Sequence, residues 1–98
     1  MKPETKFRSS KVIPFLKTLK YCTFFSIQQA SISGTPDLLC CIRGIFVALE
    51  LKKSNKDKPT RLQSHMLKEV ERACGMSFVV NPENWDDIKL ILQNINDV

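Results

Sequence analysis

Asp37, Glu50 and Lys52 are the residues whose types and spacing could do chemistry. Glu50-Leu51-Lys52 closes the apolar run Ile45-Phe46-Val47-Ala48-Leu49, and Gly34-Thr35-Pro36-Asp37 opens a second apolar run, Leu38 to Ile42. Arg43-Gly44 separates the two runs, and a glycine between apolar runs marks a hairpin turn. A turn centred on those two residues sets Asp37 directly opposite Glu50. Opposed residues share a face of the sheet with Cβ atoms about 5 Å apart, where like charges are destabilising unless something binds between them. Carboxylate oxygens suit a divalent cation such as Mg²⁺. Lys52 follows Glu50 by two residues, so the period of a strand puts its ammonium on the same face. Two carboxylates and an ammonium converging in this way are the parts of a metal-dependent hydrolytic site. Acids and lysines at such spacing are common, and the context is what singles these out: an unpaired charge closing so apolar a strand is costly.

The elements that must position these residues follow from periodicity. Residues 3 to about 21 read as helical, with Phe7, Val12, Phe15, Leu16 and Leu19 on an apolar face. Pro14 is unsuited to a helix interior and predicts a kink or break near residues 12–14. Thr23 to Gln29 carries the β-formers Phe24, Phe25 and Ile27 and reads as a strand. Residues 31–36 form a turn, and strands follow at about 37–42 and 45–52. The polar stretch 53–59 is a loop. Residues 60–74 read as a helix, 76–80 as a strand and 83–96 as a last helix. The order is αβββαβα in a single domain spanning 1–98, an α/β fold. The step from strand 45–52 through the next helix to strand 76–80 has the length of a βαβ crossover, so those two strands are expected to be parallel. With a meander before it, a mixed four-stranded sheet flanked by helices results.

Composition narrows the function classes. The chain has 98 residues, 43% hydrophobic and 26% charged, with a formal charge of +5. No apolar run approaches the ~20 residues that span a bilayer, and the N-terminus has no apolar signal region. Cys22, Cys40, Cys41 and Cys74 form no CxxC pair and His65 is the only histidine, which excludes a zinc finger and points to a reduced, cytoplasmic setting. The first 36 residues carry six basic side chains against Glu4 alone, and Lys52, Lys53, Lys56, Lys58 and Arg61 form a second basic zone. Two basic zones on one chain point to a polyanionic partner, with Lys6, Lys11, Lys53, Lys56, Lys58 and Arg61 as candidate contacts to it. His65 reads as a surface residue, and Trp85 and Phe78 as core.

Ser33-Gly34-Thr35-Pro36-Asp37, Glu50-Leu51-Lys52-Lys53 and the helix-opening Gln63 together resemble the PD-(D/E)xK nuclease superfamily and, within it, the VRR-NUC group with its small stand-alone phage and bacterial members. The resemblance runs from Glu4 to the last helix. It implies a restriction-endonuclease-like αβββαβ core and a divalent-metal-dependent, structure-selective DNA endonuclease acting on branched DNA such as four-way junctions, as a Holliday-junction resolvase does. It implies that Asp37, Glu50 and the Leu51 carbonyl hold Mg²⁺ or Mn²⁺, with Glu4 as a further metal candidate. Lys52 would orient the attacking water or stabilise the charge that develops on the phosphate, and Gln63 would belong to the active site. Thr60 and Gln63 also fit a helix capping box, and Glu4 a first-turn acid favoured by the helix dipole. A four-way junction has two-fold symmetry, so a homodimer is expected, helped by the apolar Phe24, Phe25, Ile27 and Ile32. The rival reading is a non-catalytic nucleic-acid-binding module with a nuclease-like fold.

Overall fold

The hairpin forms around Arg43 and Gly44, both with positive φ (50° and 82°), as a two-residue hairpin turn of the favoured hand requires. It fixes the register: Leu38 pairs with Leu49, Cys40 with Val47 and Ile42 with Ile45. The computed structural model describes residues 2–28 and 31–98. Its elements are α1 (Pro3–Phe7), a π-helical turn (Arg8–Val12), α2 (Ile13–Thr18), β1 (Cys22–Ser26), β2 (Leu38–Ile42), β3 (Ile45–Leu51), α3 (Arg61–Arg72), β4 (Met76–Val80) and α4 (Trp85–Asp97). The four strands make one mixed sheet in the order β1-β2-β3-β4. β1–β2 and β2–β3 are antiparallel, and β3–β4 is parallel. The α/β class, the meander and the parallel crossover all follow the sequence reading.

The two faces of the sheet differ. Phe24, Cys40, Val47 and Met76 are in register, as are Leu38, Leu49 and Phe78. This face packs on the first helical segment and α4, in a core that includes Val12, Leu16, Trp85 and Leu92. The opposite face is covered by α3 only over β3 and β4. Trp85 takes Phe7 and Phe15 edge-on, at centroid distances of 5.9 and 5.5 Å, and so ties α1 and α2 to α4.

Pro14 does not break the first helix. The helix widens just before it: the Ile13 N–H reaches back to the Arg8 carbonyl across the π turn, and Pro14 falls at the start of α2. The helix stops at Thr18 rather than near residue 21, because Leu19 is already extended (φ −78°, ψ 125°). β1 ends at Ser26, although the Ile27 N–H still reaches the Asp37 carbonyl at 2.8 Å. The predicted strand end at Gln29 lies outside the described residues.

Candidate active site

The site lies where β2 begins and β3 ends, between the two helical layers. The hairpin register, continued by one pair, sets Asp37 across from Glu50. Asp37 is fixed by its neighbour: the Leu51 N–H donates to Asp37 Oδ2 at 2.8 Å. The Lys52 N–H instead turns to β4 and donates to the Val80 carbonyl at 2.8 Å. In an extended strand a residue's N–H and C=O point to the same side, so the Leu51 carbonyl lies on the Asp37 side.

The approach to Asp37 depends on Gly34. Its φ is +84°, and a Cβ there would sit 2.8 Å from the Leu62 carbonyl oxygen. The loop before β2 therefore presses directly on the first turn of α3, which carries Gln63. That turn is a complete capping box, with the Gln63 N–H donating to Thr60 Oγ1 and the Thr60 N–H donating to Gln63 Oε1. The same Gln63 Oε1 accepts from Lys52 Nζ at 3.0 Å. The capping role and the site role of Gln63 thus coexist in one oxygen.

Asp37, Glu50, Leu51, Lys52 and Gln63 line one wall of a cavity of about 190 Å³, and Glu4, Thr5 and Arg8 of the first helical segment line the other. Every residue named from sequence for catalysis or metal binding borders this cavity. Arg8 and Thr5 were not foreseen. Arg8 lies four residues after Glu4, so the two share a helix face, and this spacing was the available signal. The candidate backbone contacts divide. Lys6, Lys11 and Lys53 gather at a neighbouring cleft. Lys56 and Lys58 are exposed on the loop before α3. Arg61 flanks a shallow depression with Leu62 and the exposed His65.

The electrostatics centre on Glu50. Its side chain is 2% exposed and Oε2 stands 3.7 Å from Lys52 Nζ, itself nearly buried. Glu50 Oε1 has no hydrogen-bond partner; among the described residues Ser26 Oγ is the only other buried side-chain oxygen in that state. A buried acceptor left unpaired costs about 1–3 kcal/mol. Burial, and then the neighbouring Asp37 carboxylate, push the Glu50 carboxyl up to about 8 despite the opposing pull of Lys52. With Glu50 protonated, Asp37 and Lys52 balance. With Glu50 ionised, the cluster carries one surplus negative charge.

This donor set fits a hard divalent cation. Mg²⁺ is usually held by one or two carboxylates, with waters and substrate phosphate completing its shell. The orphaned Glu50 oxygen, the Asp37 carboxylate and the Leu51 carbonyl are oxygen donors of the type such a partial shell would use. Among the described residues no group of three or more His, Cys, Asp or Glu side chains that could hold a metal ion is found. Among the same residues no helix is long and apolar enough to cross a membrane. No family model, no curated protein and no solved structure matches this chain.

The raised Glu50 carboxyl makes a stability prediction. Its folded-state value, about 8, lies above the ordinary 4.5. Between those values the folded state binds more protons than the unfolded state, so stability falls as pH rises through that window and levels off above it. Metal-free protein should therefore melt at lower temperature at pH 9 than at pH 5, by on the order of a few kcal/mol in stability. Glu50→Gln should flatten that slope. Thermal melts in EDTA across pH 5–9 measure both, and identical slopes for the two proteins would contradict the assignment.

Proposed function

We propose that this chain is a divalent-metal-dependent nuclease of the VRR-NUC kind, with a restriction-endonuclease-like core, that hydrolyses phosphodiester bonds in DNA and selects its substrate by structure. The observation that carries the reading is the buried Glu50 carboxylate, with one oxygen unpartnered, set beside a second carboxylate and a nearly buried lysine at an open cavity. A purely structural cluster gains nothing from two facing acids. A cation-binding cluster needs them.

Asp37, Glu50 and the Leu51 carbonyl would hold the ion. A bound Mg²⁺ or Mn²⁺ supplies Lewis acidity toward the phosphate and lowers the pKa of an attacking water. Lys52, held by Gln63 Oε1, presents its ammonium to the water or to the charge that develops on the phosphate. Arg8 faces the same cavity from the opposite wall, and its guanidinium is suited to a phosphate oxygen. The basic surface positions the nucleic acid through its backbone and reads no sequence. Branched DNA is the substrate class that agrees with structure-selective cutting.

The test is an assay on labelled four-way junctions, flaps and plain duplex, with Mg²⁺ or Mn²⁺ against EDTA. Metal-dependent cleavage that favours a branched substrate supports the reading. Binding without metal-dependent cleavage favours the non-catalytic module instead.

Two coordinated cuts in a two-fold symmetric junction are met by a symmetric dimer. The sheet has exposed apolar side chains on the face that α3 covers only in part: Phe25 (65% exposed) and Phe46 (46%), with the exposed Cys41 in register with Phe46. Light scattering at micromolar concentration should give about twice the 11.2 kDa chain mass. Phe25→Glu should return the monomer mass. A monomer mass for the unaltered protein, with and without DNA, would overturn the dimer and favour flaps or ends as substrate.

A further inference from the structure

Beside the candidate active site lies a second, larger cleft of about 460 Å³, within the range of roughly 300–1,000 Å³ typical of small-ligand sites. The two share the first helical segment. Glu4, Thr5 and Arg8 face the site, and Lys6, Phe7 and Lys11 face the cleft. Lys53, the residue after Lys52, and Lys89 of α4 also line it. Its apolar lining is Pro3 and Pro82, both exposed, with the edges of the nearly buried Phe7 and Trp85 beneath them. The one acid at the rim, Asp86, is already paired with Lys89 at 3.3 Å. Lys89 Nζ also stands 5.9 Å from the Trp85 ring centroid.

We infer that this cleft takes an unpaired stretch of the nucleic acid strand, with a base against the apolar floor and the flanking phosphates on the lysine rim. The inference rests on the nucleic-acid reading of the adjoining site and narrows its substrate class. Two features act together here. A lysine rim alone would serve any polyanion, a duplex included. A duplex keeps its bases stacked inside and offers only phosphates to such a rim, so it leaves the apolar floor unused. Single strands expose apolar base faces alongside their phosphates, and sites for them combine a basic groove with apolar or aromatic surface. Because Lys53 adjoins Lys52 and Lys6 adjoins Thr5, a strand seated in the cleft continues directly into the candidate active site. The cut would then fall next to an unpaired segment, as at a flap or an open branch point.

Trp85 is the only tryptophan in the chain, so the cleft carries its own reporter. The experiment uses the full chain in EDTA, where no cleavage occurs, and follows Trp85 emission while a short oligothymidylate or a duplex of equal length is added. Saturable quenching by the single strand, with a clearly smaller change for the duplex, is the expected result. Lys6 and Lys11 are exposed, so Lys6→Glu combined with Lys11→Glu should keep the fold, checked by circular dichroism. That variant should lose about tenfold or more in single-strand affinity together with the quenching, and its salt slope should shrink by about 1.4. Binding of the single strand without any change in Trp85 emission, equal quenching by duplex, or no single-strand binding at all would each overturn the inference. A protein that cuts DNA with metal yet shows no quenching sinks this inference alone, and quenching without metal-dependent cleavage sinks the nuclease reading alone.

Discussion

Asp37→Asn is expected to abolish cleavage of any DNA substrate while leaving the protein folded, and Glu50→Gln to do the same with a gain in metal-free stability. The asymmetry comes from the surroundings of each acid. Asp37 Oδ2 accepts the Leu51 N–H at 2.8 Å, and an Asn side chain can keep that bond through its own oxygen. The local backbone therefore survives and only the charge is lost. Glu50 is buried, with one oxygen unpartnered, and its carboxyl is pushed up to about 8, so a neutral amide spares the fold the desolvated charge above that pH and the proton uptake that cancels it below. A lone metal ion contributes several kcal/mol to the transition state, so each variant should lose roughly a thousandfold or more in rate. Single-turnover cleavage with Mn²⁺ measures the loss, and calorimetric titration of Mn²⁺ should show weaker binding in both variants. Unchanged cleavage in either variant would remove the site assignment.

Lys52→Ala separates catalysis from anchoring. The ammonium is nearly buried, 3.0 Å from Gln63 Oε1 and 3.7 Å from Glu50 Oε2. It is therefore a group aimed into a cavity rather than a mobile surface charge. If it meets charge that develops only in the transition state, kcat should fall by about 10²–10³ while DNA affinity changes little. An anchoring lysine would behave in the opposite way: affinity would drop, kcat would hold and the salt dependence of binding would flatten. Removing Lys52 also withdraws the cation beside Glu50, so the Glu50 carboxyl should rise further and the variant should be more sensitive to high pH than the unaltered protein. Gln63→Ala is a poorer probe, because the same oxygen caps α3 and its loss costs helix stability as well.

Much of this geometry was legible in the residues themselves. The Arg43-Gly44 turn, the alternation along two apolar runs and the fixed period of a strand were enough to place Asp37 opposite Glu50 and Lys52 on the same side. Such local signals specify register directly, because a slip by one residue would move Leu38, Cys40 and Ile42 from the core to the other face. The capping-box spacing likewise put Gln63 at the first turn of α3. The element order followed from periodicity and turn residues, and the parallel pairing of β3 with β4 from the length of the crossover.

Other features depended on contacts between residues far apart in sequence. Pro14 announced a disturbance, but whether the helix would break or shift into a π turn was settled by how Phe7, Val12 and Leu16 pack against Trp85 and the sheet. The cavity needed that helix laid across the end of the sheet, and only then did Arg8 come to face Glu50. Lys89, in the last helix, joined Lys6, Lys11 and Lys53 for the same reason. The depth at which Glu50 is buried, and hence the rise of its carboxyl toward neutral pH, was also decided in three dimensions. Sequence gives a residue's charge and its side of a strand, but desolvation is set by everything packed around it, and most of that arrives from distant parts of the chain.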